Sequence, residues 1–465
     1  MKANYTNIGL IATAEIELNG ITVVAAPNNS GKSTISKTLY MFLETMVNFQ
    51  EEYTFFRNET IAENISRFCR LLYRTLTSQE MEELVIDFNN QIKENEIEPF
   101  LRIEFDEESE TIESSFPWRM FEVDVAEESD LRRNIEILKR AYSKFSTDDK
   151  NWELLDEVQS YFEYSQGKKL ELVLKAKIRS YFDNDLISHE SDGEAYFGLF
   201  DNQSLFDNLN IIHAKFNNDN IVDLESQVSL NEFSKILYLD SFINLENYNF
   251  TRYPRFLRVS RDDIRTKSDG TFRSLIDPKQ EINPFRGDLS DQDKLFNYIN
   301  QIIGGNVEQQ SGKIVYSKDD YQYNLKNTAT GIKIFGALQL LLKNYQMTPE
   351  MFMIIDEPET NLHPVWQVKL AEAIVLLNRD LGVQFMINSH SANFIEGIKL
   401  YSELYENEGA TKFYLINTEQ YGRHTVQDIS EHIQLAYDQL NGSLDLLDEI
   451  AERILQKSQG EIDEN

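Results

Sequence analysis

Four stretches of this chain are almost uninterrupted in apolar character, the pattern of strands buried on both faces of a parallel sheet. They are Ile21-Thr22-Val23-Val24-Ala25, Ile236-Leu237-Tyr238-Leu239, Met351-Phe352-Met353-Ile354-Ile355 and Val383-Gln384-Phe385-Met386-Ile387. Apolar residues at helical spacing follow the first stretch (Ile35, Leu39, Phe42 and Leu43, predicting a helix over 33–49) and precede the third (Ile334, Phe335, Ala337, Leu338, Leu340, Leu341, Leu342). A further helix is predicted over 365–378, between the last two strands. Between residues 50 and 229 the pattern changes. Charged segments with helical spacing (79–94, 130–145, 151–182) are interrupted by β-like patches at 100–105 and 118–125, with Glu107-Glu108-Ser109-Glu110 as a loop or hairpin between them. Heptads are not sustained, so the segment predicts a compact, mainly helical insertion, not a long coiled coil.

The residues at the ends of these strands carry the chemistry. Ala26-Pro27-Asn28-Asn29-Ser30-Gly31-Lys32-Ser33-Thr34 follows a buried strand and opens a helix, the context of a phosphate-binding loop of the form Gly-x-x-x-x-Gly-Lys-Ser/Thr. Backbone N–H groups from Asn28 to Thr34, backed by a helix N-terminus, suit an anion. Lys32 is placed to reach the β/γ-phosphates and Ser33 to hold Mg²⁺. Ala26 stands where the pattern has its first glycine, a position less demanding than Gly31, where the backbone approaches the phosphate.

The third strand ends in Asp356-Glu357, at the sheet edge where ligands of parallel α/β sheets bind. Asp356 is the candidate organiser of Mg²⁺, and Glu357 the candidate general base that deprotonates the attacking water. The fourth strand ends at His390, a donor toward a γ-phosphate. Asn327-Thr328-Ala329-Thr330-Gly331-Ile332-Lys333 opens the helix before the third strand. A hydroxyl residue and a glycine there suit either a second anion contact or ordinary capping by Thr328 or Thr330.

In order along the chain, these elements resemble the ABC-type ATPase head of the RecF and SMC branch. Asp356-Glu357-Pro358-Glu359-Thr360-Asn361-Leu362-His363-Pro364 and Asn388-Ser389-His390-Ser391 resemble the OLD-like ATPases in particular. The resemblance covers Met1–Phe49 and Leu230–Lys412. It implies an α/β fold, an ABC-type head in which a mixed β lobe joins a P-loop parallel sheet with flanking helices. The head parts fall at 1–49 and 230–420, around the insertion at 50–229, with an acidic helical tail at 421–465. It implies ATP and Mg²⁺ as ligands, and catalytic roles for Glu357, His390 and Lys32. Thr330, Gly331 and Lys333 take the place of the signature that contacts the γ-phosphate of ATP held by a second subunit, in the degenerate form Ala-Thr-Gly-Ile-Lys. Asn361 falls in the D-loop. Asp240 stands where the family has its Q-loop glutamine, a third metal-side candidate beside Ser33 and Asp356.

Composition narrows the class. The 465 residues are 41% hydrophobic and 12% aromatic, enough for a substantial core. No apolar run approaches bilayer length, no basic-then-apolar leader opens the chain, and Cys69 is the sole cysteine, so a reducing cytoplasm is expected. Scattered histidines without cysteine partners disfavour zinc. A formal charge of −33 argues against a general nucleic-acid binder and for docking of basic protein partners. Arg252, Arg255, Arg258, Arg261, Arg265 and Lys267 form a local basic stretch, read either as surface paired with Asp262 and Asp263 or as a contact line.

After Phe413-Tyr414-Leu415-Ile416 the acidic stretch 425–454 reads as helical, and it is too short for the TOPRIM nuclease that many OLD-like proteins carry. The resemblance to ATPases of the PARIS, Septu and retron-associated antiphage systems then implies an ATPase that forms a homo-dimer or higher homo-oligomer. It would control a separate effector, plausibly a TOPRIM nuclease, with a phage protein as candidate trigger. The alternatives are a RecF-like repair ATPase acting on DNA directly and a non-catalytic scaffold.

Overall fold

The computed structural model describes residues 1–97, 103–105, 118–120, 128–145, 149–187, 194–201, 209–217, 220–226, 232–239, 290–310, 313–418 and 423–440, with 272, 275, 276, 447 and 449–455. These residues form two compact units. One holds Met1–Val47 and the described residues from Lys177 onward, and the other holds those of Asn48–Ala176.

Strands β1 (Lys2–Ile8) and β2 (Ile11–Glu17) form an antiparallel hairpin, and β3 (Ile21–Ala25) leads through the phosphate loop into helix α1 (Lys32–Val47). The second unit follows. It contains α2 (Phe49–Thr75), α3 (Ser78–Glu94), the short antiparallel pair β4 (Ile103–Phe105) and β5 (Trp118–Met120), α4 (Glu128–Tyr142), α5 (Asp149–Glu163) and the first part of α6 (Gln166–Phe182). Its core is built from one face of each long helix, including Ile61, Phe68, Leu84, Phe88, Leu138 and Leu155. Each such burial contributes roughly 1.5–3 kcal/mol. Thr77 and Glu80 form a reciprocal capping box that starts α3. The single helical segment expected over 151–182 is broken in two, because the Ser165 hydroxyl accepts from Lys168 N–H and restarts the helix as a cap.

The chain returns to the first unit through β6 (Glu194–Asp201), β7 (Leu209–Asn217), β8 (Asn220–Ser226) and β9 (Lys235–Leu239). Then come α7 (Asp291–Ile303), a meander of β10 (Asn306–Gln310), β11 (Lys313–Lys318) and β12 (Tyr321–Asn324), and α8 (Thr330–Lys343). The order continues β13 (Met351–Asp356), α9 (Pro364–Leu381), β14 (Gln384–Ser389), α10 (Ala392–Leu404), β15 (Thr411–Thr418), β16 (His424–Asp428) and α11 (Gln434–Leu440).

One sheet organises this unit, in the order β8-β7-β6-β1-β2-β16-β15-β3-β14-β13-β9. From β15 to β9 the strands run parallel, and β3, β13 and almost all of β14 are buried residue by residue. From β8 to β2 they are antiparallel and alternate, with Ala3, Tyr5, Ala195, Phe197, Ile212, Ala214 and Phe216 turned inward. Helices α8, α9 and α10 pack their apolar residues into the same core as the parallel strands. This is the expected α/β class, with a mixed sheet whose parallel half is packed by helices.

Two expected boundaries are corrected. The insertion was expected to run to 229, but β6–β8 extend the main sheet from β1, and the helical unit ends at Ala176. Period-2 strands with one wet face sit there among charged residues, so they lack the apolar run that marked β3 and β13. The tail was expected to be helical from 425, but β-branched Thr425 and Val426 lie in β16, laddered to β15 and β2. Asp240, the stretch from Arg252 to Lys267, and the Glu107–Glu110 loop lie outside the described residues.

Candidate nucleotide site

The parallel register brings the strand ends to one edge. Asp356 pairs with Asn388, and Ser389 with Ala25, so the residues following β3, β13 and β14 meet. The phosphate loop turns there through Asn29 (φ 62°) and Gly31 (φ 82°). Asparagine tolerates this left-handed backbone better than other side-chain-bearing residues, and glycine adopts it freely. Around Gly31 the space is also tight, since a Cβ would stand 3.1 Å from Ile11. Ala26 needs no such freedom. It is fully buried, is not among the residues of positive φ, and its N–H donates to Ser389 O.

Lys32 is the first residue of α1 and is 4% exposed. Its Nζ lies 2.7 Å from Glu357 Oε1 and also donates to Asn28 Oδ1 (3.3 Å) and Ala26 O (3.5 Å). Glu357 takes φ 53°, an uncommon backbone for a non-glycine residue that turns the chain sharply out of β13. Burial pushes its carboxyl up, but the Lys32 ammonium outweighs this together with His390 and Thr360. The net result lies below the usual carboxylate range.

Asp356, 4% exposed, accepts from Asn388 Nδ2 (2.9 Å) and Tyr238 Oη (3.3 Å). Asn388 Nδ2 also reaches Lys32 O (3.1 Å) and Ser36 Oγ (2.8 Å), joining α1 to the end of β13. Ser33 follows Lys32 in the first turn of α1. Among the described residues no cluster of three or more His, Cys, Asp or Glu could hold a metal. A hydroxyl and one carboxylate with water and phosphate oxygens to complete the shell is, however, the donor set Mg²⁺ uses at nucleotides. The residues fit that ion.

The segment after Glu357 is tied back on itself. Thr360 N donates to Glu357 O, Leu362 N to Glu359 O, and Asn361 takes φ 62°. His363 caps α9 through Nδ1 to Val365 N, and Pro364 occupies the first helical turn, which explains the Leu-His-Pro run. His390 is 38% exposed, with Nδ1 3.5 Å from Glu357 Oε1 and 3.4 Å from Glu359 Oε1. A cavity of about 510 Å³ opens beside these groups, lined among others by Asn28, Glu357, Asn361, His390, Ser391 and Asn393. That size suits a small ligand.

Of the residues singled out by sequence, Asn28, Glu357, Asn361 and His390 share this cavity, Lys32 joins it through Glu357, Asp356 is tied to Lys32 O through Asn388, and Ser33 follows Lys32. Thr330, Gly331 and Lys333 do not line it. They begin α8, whose N-cap is Ala329, with no side-chain capping bond; neither Thr328 nor Thr330 caps it. Gly331 is packed so closely on Trp366 that a Cβ would stand 2.5 Å from the ring.

Sequence reasoning gave no role to Asn388, Tyr238 or Glu359. Only the polar position inside the apolar run before Ser389 signalled Asn388, since a buried amide needs partners. Glu359 is 2% exposed and accepts at one oxygen, Oε1, from Ser389 Oγ (2.7 Å) and His390 N (2.9 Å). Its burial raises its pKa, against the pull of those hydrogen bonds.

The profile of the AAA ATPase domain family matches residues 5–395. Among solved structures, an Smc head bound to the C-winged helix domain of ScpA is 11% identical, covering 93% of this chain and 98% of that one, with a TM-score of 0.42. The SMC head domain from Thermotoga maritima is 13% identical over 57% of this chain and 87% of that one, TM-score 0.29. A Pyrococcus furiosus Smc head domain with an extended coiled coil, bound to the C-terminal domain of ScpA, is 11% identical over 97% and 98%, TM-score 0.28. No curated protein matches the chain. Among the described residues no helix is long and apolar enough to cross a membrane.

Proposed function

Because the chain belongs to the AAA ATPase domain family, we propose that it binds ATP at the loop from Asn28 to Thr34 and hydrolyses it to ADP and phosphate. The observation that carries this reading is the convergence of Lys32, Glu357 and His390 at one sheet edge, with Lys32 Nζ 2.7 Å from Glu357. Backbone N–H groups at the start of α1 bind the phosphates, and Lys32 neutralises their charge. Ser33 and Asp356 hold Mg²⁺, which supplies charge neutralisation to the phosphate oxygens when bound. Glu357 takes the proton of the attacking water, and its place beside Lys32 keeps it ionised for that role. His390, beside Glu357 at the end of β14, contacts the γ-phosphate.

Thr330, Gly331 and Lys333 serve a nucleotide held by a second copy of the chain, and Asn361, which lines this chain's own cavity, takes the D-loop place. The start of α8 supports this, since no side chain caps it and only the Ile332 and Lys333 N–H groups turn back to Ala329 O. The homo-oligomer controls a separate effector, a nuclease such as a TOPRIM protein, in antiphage defence. The formal charge of −33, which favours a basic protein partner over DNA, and the OLD-like words around Glu357 and His390 support that finer reading. Glu357→Gln should bind ATP and stay assembled while turnover falls by about 10²–10⁴-fold. Normal hydrolysis by this variant would overturn the mechanism.

A further inference from the structure

We propose that Glu359 is a positioning residue for His390, holding the imidazole with Nδ1 inward and its Nε2 edge toward the cavity. This deepens the hydrolysis reading and rests on it for its consequence, but not for its geometry. Glu359 Oε1 accepts from both Ser389 Oγ and the His390 backbone N–H, which fixes where the residue after β14 leaves the sheet. The same oxygen stands 3.4 Å from His390 Nδ1, and the other carboxylate in range, Glu357 Oε1, stands at 3.5 Å. Nδ1 itself is buried and makes no hydrogen bond among the described residues, while the ring is 38% exposed and lines the cavity, so the ring meets a ligand through its outer edge.

The choice of a carboxylate needs explaining. Glu359 Oε2 is buried without a hydrogen-bond partner among the described residues, and a buried carboxylate so poorly solvated is costly. A glutamine carbonyl would also accept from Ser389 Oγ and His390 N–H, with a buried neutral amide in place of a buried charge. What the carboxylate adds, once ionised against the burial that favours its neutral form, is negative charge facing Nδ1. A bare nitrogen lone pair there would confront two carboxylate oxygens at 3.4 and 3.5 Å, so the arrangement favours the tautomer with the proton on Nδ1. An orienting group behind a functional imidazole sets its tautomer and ring direction in this way.

The test uses the full chain, with Glu359→Ala, Glu359→Gln, His390→Ala and the double variant Glu359→Ala/His390→Ala. Steady-state hydrolysis should show kcat down about 10–100-fold for Glu359→Ala. KM for ATP should stay within about threefold. Glu359→Gln, which keeps both acceptor contacts and guards against a folding failure, should keep the wild-type melting temperature or exceed it and still lose most of the kcat. The double variant should be no slower than His390→Ala alone, as expected for a residue that acts through another. Multiplying effects, or full activity in Glu359→Gln, would overturn the proposal.

Imidazole ¹⁵N spectra of histidine-labelled protein, with the His390 signal identified by its loss in His390→Ala, provide a readout independent of turnover. They should show protonated Nδ1 in the wild type and a changed tautomer in Glu359→Gln. An unchanged spectrum would overturn the assignment. A wild type without ATP turnover would overturn the functional reading, while this spectrum would still decide the role of Glu359.

Discussion

Two helices of the head begin in ways that differ instructively. At α1 the chain arrives through Asn29 and Gly31 in left-handed backbone, and its first residue, Lys32, is already engaged by Glu357 and Asn28. At α8 the chain arrives extended at Ala329, without a side-chain cap, and Gly331 is pressed on Trp366 of the helix after the Leu-His-Pro run. The first start is completed by its own chain. At the second, Ile332 and Lys333 N–H turn back to Ala329 O, and no side chain caps the turn that carries Thr330 and Gly331. On the proposed reading, one sequence carries both halves of a binding site without joining them.

Substitutions sharpen this contrast. The largest effect is expected at Lys32→Ala, which removes the buried cation. Turnover should fall to background and ATP affinity by at least about 10-fold, since hydrogen bonds to charged groups contribute about 1.5–3 kcal/mol. Calorimetric titration with ATP and Mg²⁺ would check it. Asn388→Ala comes next, because one amide nitrogen serves Lys32 O, Ser36 Oγ and Asp356 Oδ1. Stability should drop by about 1–3 kcal/mol in denaturant unfolding, with turnover falling alongside. Gly331→Ala should cost about 1–3 kcal/mol by overpacking against Trp366 and shift tryptophan fluorescence, while ATP binding by the isolated subunit stays normal.

The smallest effect concerns pH. Burial raises the Glu359 pKa above its unfolded value. The native state therefore holds that proton more tightly, and its stabilisation is lost as pH rises through the raised value. Glu359→Gln should gain stability over the wild type between about pH 4.3, the ordinary carboxylate value, and neutrality. The two melting temperatures should diverge as pH rises above the ordinary carboxylate value.

The half of the sheet that carries the chemistry was legible because its signals are local. A buried parallel strand is an apolar run, and the words after it, from Ala26 to Thr34 and from Asp356 to Pro364, are contiguous. The antiparallel half was not, because β6, β7 and β8 alternate with period two and return to β1 only after the helical unit. The ends of β14 and β9 were half legible. His390 stood out as a histidine at a strand end, but the roles of Asn388 and Tyr238 depend on register between strands far apart in sequence. The tolerance of Ala26 followed from an ordinary backbone that only coordinates reveal.

The most direct test is subunit mixing. Lys32→Ala and Thr330→Arg should each be inactive alone, one unable to hold ATP and the other unable to complete a partner's site. Mixed in equal amounts they should recover hydrolysis, because a hybrid dimer contains one intact composite site. No recovery at any ratio or protein concentration, or full activity of Thr330→Arg by itself, would contradict the account.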